Sequence, residues 1–209
     1  MNNKSNKKTI VFDFDGTIAN TLDIGIEIYN KEIAPKFKLK RVTKEEVAYL
    51  RSESSQRRIL KKYKVSFFKL PFIVLNIRRA LSKKMNGIEP QKDIVELIKT
   101  LKAQGYSLGI LSSNSKSNIK IFLKNYELSK CFDFIVTSKN IFGKHRAMNR
   151  IIQKQEFIYV GDEIRDIQAA KRADVVSIAV TWGFNKKDAL EKQNPDHIID
   201  KPFQILEVI

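Results

Sequence analysis

Ile10-Val11-Phe12-Asp13-Phe14-Asp15-Gly16-Thr17 is the stretch that decides how this chain folds. An apolar run ends in two carboxylates one residue apart, and a glycine follows at once. Side chains alternate between the faces of a strand, so Val11, Asp13 and Asp15 share one side while Ile10, Phe12 and Phe14 share the other. A strand apolar on both faces belongs at the centre of a parallel sheet, and Gly16-Thr17 stops it. The carboxylates then stand at the strand's C-terminal end, where open α/β sheets bind ligands. The plainer alternative is a polar turn at the end of an ordinary strand. Two neighbouring carboxylates repel, however, and share a proton, a cation or both. A hard cation such as Mg²⁺ takes oxygens from one or two carboxylates and keeps its other positions for water and phosphate, which points the pair to metal-assisted phosphoryl chemistry.

Outward from this strand the chain has two textures. From Asn86-Gly87 and Pro90 onward, helix and strand patterns alternate. Helices are expected over Asp93–Gln104 (closed by Gly105), Ser117–Asn125, His145–Gln155 and Ile164–Ala173. Strands are expected over Tyr106–Leu111, Asp133–Thr137, Phe157–Val160, Val175–Val180 and His197–Ile199. This alternation predicts an α/β fold, a doubly wound parallel sheet with helices on both faces.

The stretch before the hinge reads as helical throughout. Asn20–Ala34 has apolar residues at helical spacing and Pro35 ends it, Thr43-x-x-Glu46 resembles a capping box, and Ser54–Tyr63 and Phe72–Met85 are two more candidates. From Asp15 to Ser112 there are 97 residues. A βαβ crossover needs about 30, which leaves about 60 surplus. An insertion just after the first strand sits over the strand ends, where a lid belongs. The expected division is a core of residues 1–19 and 87–209 and a small helical cap of residues 20–86. Between Lys31 and Lys84 lie 17 Lys and Arg against 4 Glu and no Asp, a local charge of +13 within the whole chain's +16. Such a field draws phosphates, nucleic acid or an anionic surface, or is simply a solvated face. Arg51, Arg57 and Arg58 fall here as possible substrate contacts, although nothing in the sequence orients them.

Each strand expected near the sheet centre ends in a functional group. Ser112 can donate to a phosphoryl oxygen, and the N–H groups after it open a helix. Lys144 follows Gly143 as a point cation, and Gly161-Asp162-Glu163-x-x-Asp166 is a second acidic cluster able to complete a Mg²⁺ site. Singly these signals are weak; four in this order, at alternate strand ends, are strong.

Phe12-Asp13-Phe14-Asp15-Gly16-Thr17, Leu111-Ser112-Ser113-Asn114, Lys144 and Val160-Gly161-Asp162-Glu163-x-x-Asp166 resemble the four motifs of the haloacid dehalogenase-like superfamily. The resemblance covers Ile10 to about Pro202, and Val180-Thr181-Trp182-Gly183-Phe184 looks like its phosphoglycolate phosphatase-like branch. His145 stands where many relatives carry proline. The resemblance implies a Rossmann-like core, a Mg²⁺ cofactor and a helical cap. It makes Asp13 the nucleophile and Asp15 the acid–base. Asp13, Asp162 and the Asp15 main-chain carbonyl become metal ligands. Ser112, Ser113 and Lys144 bind phosphate, and Asp166 orients Lys144 or a metal-bound water. An acid at Asp15 argues against dehalogenation, which needs no proton on the leaving group.

Other readings are excluded or set aside. One cysteine, Cys131, permits no intramolecular disulfide, and two histidines make no histidine-rich metal site. No glycine-rich nucleotide loop is present. Phe67 to Leu75 resembles a membrane segment but is too short to span and is interrupted by Lys69 and Pro71, so cap core is expected. The basic start Met1–Lys8 has the form of neither a signal nor a transit peptide, and a cytoplasmic monomer or dimer is expected. The expected function is Mg²⁺-dependent hydrolysis of a small phosphorylated metabolite, phosphoglycolate or a similar monoester. The alternatives are a phosphatase for nucleotides or nucleic-acid ends that uses the basic cap, and a non-catalytic binding protein.

Overall fold

The computed structural model describes residues 8–53, 55–138, 143–153 and 155–209, with the side chains of residues 56, 57 and 67 excepted. The reading of Met1–Lys8, apart from Lys8 itself, and the start of a helix at Ser54 lie outside the described residues. Six strands form one parallel sheet: β1 (Thr9–Phe12), β2 (Ser107–Ser112), β3 (Phe134–Thr137), β4 (Phe157–Gly161), β5 (Val176–Val180) and β6 (His197–Ile199). Their spatial order is β3-β2-β1-β4-β5-β6. The order reverses direction at β1, which pairs with β2 on one side and β4 on the other, so the crevice at its C-terminal end is the natural ligand site.

The two apolar faces of β1 serve two separate cores. Ile10 and Phe12, with Phe14 beyond the strand, pack against α6 (Ile94–Ala103), α7 (Lys116–Asn125) and α11 (Ile205–Val208). Val11 packs with α8 (Lys144–Ile152) and α9 (Ile164–Arg172) on the opposite side. Gly105, at φ +86°, closes α6 in the left-handed conformation that glycine adopts without strain.

The strand ends one residue before the acidic pair. Asp13 N–H still reaches the Val160 carbonyl at 2.8 Å, but Gly16 then turns at φ +82°, and the N–H groups of Ile18 and Ala19 both return to the Phe14 carbonyl. The strand alternation expected to set Asp15 on the face of Asp13 therefore does not reach it.

Between Thr21 and Gly87 the described residues hold no named strand. α1 (Leu22–Ile28) runs through a π-helical turn (Tyr29–Ile33) into α2 (Ala34–Phe37). Pro35 does not end this helix as expected. The π-turn sends the Ala34 N–H to the Tyr29 carbonyl and restarts the helix, so the proline falls in a first turn, where its missing N–H is not needed. The chain stops instead at Lys38, which is left-handed at φ +53°. α3 (Lys44–Ser52) opens on the expected capping box between Thr43 and Glu46, and α4 (Gln56–Lys62) follows. α5 (Leu70–Lys84) buries Ile73, Ala80 and Leu81 against the core that holds Phe12. The expected core segment around its start is only partly buried: Phe68, just before the helix, is 85% and Phe72 62% exposed. Among the described residues no helix is long and apolar enough to cross a membrane.

Candidate active site

The turn after β1, the ends of β2 and β4, and the first turn of α8 meet at one point. Lys144 projects from the start of α8, is 2% exposed, and places Nζ 2.5 Å from Asp13 Oδ2 and 2.5 Å from Asp166 Oδ1. The hydroxyl of Tyr159, on β4, lies 3.1 Å from the same nitrogen and donates to the Leu111 carbonyl. Asp13 Oδ1 takes the Phe14 N–H at 2.7 Å. Asp166 Oδ2 takes the Glu163 N–H at 3.0 Å, a capping box that fixes the first turn of α9.

Asp162 is fully buried and held from both sides. Oδ1 accepts from Thr17 Oγ1 at 2.7 Å, and Oδ2 accepts from the Phe184 N–H at 2.7 Å. Gly16 and Gly183 flank it so closely that a Cβ on either would come within 2.2 Å of an Asp162 atom. Carboxylate oxygens of Asp13, Asp162 and Asp166 lie within 4.8 Å of one another. Three buried carboxylates face the Lys144 ammonium, and the Arg165 guanidinium is close enough to act on Asp13 and Asp166 as well.

The electrostatics follow. Burial pushes the Asp13 carboxyl up to about 7 against the pull of Lys144, which cannot neutralise Asp13 and Asp166 at once. Burial, with Glu163 and Asp13 nearby, holds Asp162 well above the usual carboxylate range. Burial works against the charge on Lys144, yet Asp13 and Asp166 keep it above the ordinary lysine value. A cluster of buried, hard carboxylate oxygens suits a divalent cation such as Mg²⁺.

Asp15 stands apart from this carboxylate group. Its Oδ1 accepts from Asn114 Nδ2 at 3.0 Å, and burial raises its pKa more than that bond lowers it. Ser112 is fully buried and its Oγ accepts the Asn114 N–H at 3.0 Å; Ser113 beside it is half-buried. Thus Asp13, Asp162, Asp166 and Lys144 form one contact group, and Asp15 joins Ser112 through Asn114.

Several residues of the site were not singled out by sequence reasoning. Thr17 and Asn114 sit inside motifs already noted, and a hydroxyl or amide beside a buried carboxylate is the signal that was there to read. Tyr159 was hidden in an apolar strand. Of the arginines considered as substrate contacts, Arg51 instead donates to the carbonyls of Phe184 at 2.8 Å and Gly183 at 3.1 Å. Arg58 pairs with Glu53 at 3.0 Å, and the side chain of Arg57 lies outside the described residues.

Residues 10–180 match the family of haloacid dehalogenase-like hydrolases. A phosphoglycolate phosphatase of Synechococcus elongatus is 31% identical over 97% of each chain. A pyrophosphatase PpaX of Bacillus mycoides is 25% identical over 96% of each. A haloacid dehalogenase-like family hydrolase of Streptococcus pneumoniae shares the fold, with a TM-score of 0.74 at 22% identity over 98% of this chain and 99% of that one. The chain belongs to the haloacid dehalogenase-like hydrolase family, and it is a phosphatase of that family.

Proposed function

We propose that the chain is a Mg²⁺-dependent phosphatase that cleaves a small phosphomonoester through a phosphorylated Asp13. The observation that carries this reading is the contact group itself: a buried carboxylate at the end of the central strand, held against a buried ammonium, with two further carboxylates beside it. Asp13 is the nucleophile: one of its oxygens bonds to phosphorus as the bond to the substrate's alcohol oxygen breaks. Asp15 gives that oxygen its proton and later takes one from the water that attacks phosphorus. The second step restores the Asp13 carboxylate and releases inorganic phosphate. Ser112, the N–H groups opening α7 and Lys144 bind the transferring phosphoryl oxygens. Asp166 keeps Lys144 aimed at Asp13.

Mg²⁺ would be held by the carboxylates of Asp13 and Asp162 with the Asp15 main-chain carbonyl, and supplies positive charge against the phosphoryl oxygens. Residues 20–86 act as a cap, a role supported by the bonds from Arg51 of α3 to the Gly183-Phe184 loop beside Asp162. Phosphoglycolate or a similar ester is the substrate that the relative in Synechococcus elongatus suggests. The test is phosphate release from p-nitrophenyl phosphate with Mg²⁺. Asp13→Asn and excess EDTA each abolish it, and activity that survives both overturns the proposal.

A further inference from the structure

We infer that the substrate's alcohol is largely apolar and sits in the cavity beside Asp15 and Asp162, an inference that rests on the phosphatase reading and narrows it. The cavity has a volume of about 420 Å³ and runs from Asp15, Gly16 and Asp162 into the helical stretch. That is an ordinary size for a small-molecule site and more than a two-carbon acid fills. Ile26, Leu50, Ile59, Leu60, Ile73 and Ile77 supply much of its wall.

Among the described residues, the charged ones on the wall are all acidic: Asp15, Asp162 and Glu163. A leaving group with a carboxylate or a second phosphate would be desolvated there with no cation among the described wall residues to meet it. An apolar body, in contrast, gains from every methylene it buries. Glycolate, the alcohol suggested by resemblance, is the wrong kind of group for this wall.

One wall residue asks for a polar partner. Tyr63 is 3% exposed, and its hydroxyl is buried with no hydrogen-bond partner among the described residues. Tyr29 also lines the cavity, but its hydroxyl is already spent on the Lys40 carbonyl at 2.9 Å. The fitting substrate is therefore a monoester of an alkyl or aryl alcohol bearing one uncharged polar group on its body.

The test uses the full chain with Mg²⁺ and two matched series. Phosphate release is measured for ethyl, butyl, hexyl and octyl phosphate and for phosphoglycolate, and calorimetry gives the affinity of the corresponding alkylphosphonates. The expected result is a rise in kcat/KM and in affinity of about two- to fourfold per methylene, with phosphoglycolate below hexyl phosphate. Ile77→Ala and Leu60→Ala flatten that slope. Tyr63→Phe weakens binding of an ω-hydroxyalkylphosphonate about threefold and leaves the unsubstituted series unweakened. Phosphate released at rates independent of chain length, or fastest from phosphoglycolate, overturns the inference while leaving the phosphatase reading intact. Affinity that tightens with chain length with no release from any ester does the reverse.

Discussion

Lys144 and Asp13 stand 131 positions apart in the chain, and their charged atoms are 2.5 Å apart in the fold. Both side chains are almost wholly buried, so this contact organises the site and also constrains stability. Lys144→Met leaves Asp13 and Asp166 facing each other without their counter-ion. The expected cost is about 3–5 kcal/mol in urea unfolding with EDTA present. Phosphate release falls at least about a hundredfold. Lys144→Arg restores little of it, because a planar guanidinium cannot replace a compact ammonium wedged between two carboxylates.

Asp15→Asn separates the acid step from the nucleophilic one. The substitution keeps a partner for Asn114 but removes the proton that leaves with the alcohol. Turnover of an alkyl phosphate falls by about 10²–10⁴. Turnover of p-nitrophenyl phosphate falls much less in its first step, because nitrophenolate departs without protonation. Parallel losses for both substrates in single-turnover experiments count against the role given to Asp15.

Gly183→Ala tests how tightly Asp162 is boxed in. The added methyl would lie 2.2 Å from Asp162 Cβ, an atom with no freedom to withdraw. We expect a loss of about 1–3 kcal/mol and a clear loss of activity. Gly25→Ala is the contrast: its Cβ would meet nothing within 4 Å inside α1, so the same change there stabilises by about 0.5–1 kcal/mol. Thermal melts of the two variants give opposite signs.

Asp196 makes stability pH-dependent at the far edge of the sheet. The Ser177 N–H and hydroxyl, each 2.8 Å from Oδ2, hold its carboxyl below the usual range. A folded-state pKa below the unfolded one contributes stability above about pH 4, and the contribution is lost as pH falls through the folded value. The residue is exposed, so solvent screening limits the effect to about 1 kcal/mol or less. Asp196→Asn is expected to be less stable than the parent at pH 7 and indistinguishable from it near pH 2, as urea titrations at the two values will show.

The sheet was legible because period and length separate its strands from its helices. Most expected elements fall within one or two residues of those observed, and β1 is apolar on both faces for the reason its sequence suggested. Three things were not legible. Pro35 reads as a stop unless one knows that a π-turn precedes it. α10 (Lys187–Glu191) is a five-residue polar helix, too short for any periodicity. The apolar run leading into α5 gives no hint that Phe68 and Phe72 face solvent while Ile73 is buried, since that depends on where α1 lies. In the site, residue types were legible and contacts were not: Asp13 and Asp15 look equivalent in sequence, yet one meets Lys144 and the other Asn114.

The loop Gly183-Phe184-Asn185-Lys186 grips two things at once. On one side its carbonyls take the Arg51 guanidinium, while the Asn185 amide and the Lys186 N–H take the Arg51 carbonyl. On the other side the Phe184 N–H holds Asp162. Displacing α3 therefore pulls on the carboxylate beside the nucleophile. On the proposed reading, an alcohol whose bulk fits the cavity leaves those bonds undisturbed, whereas one that forces α3 outward would strain the loop that holds Asp162.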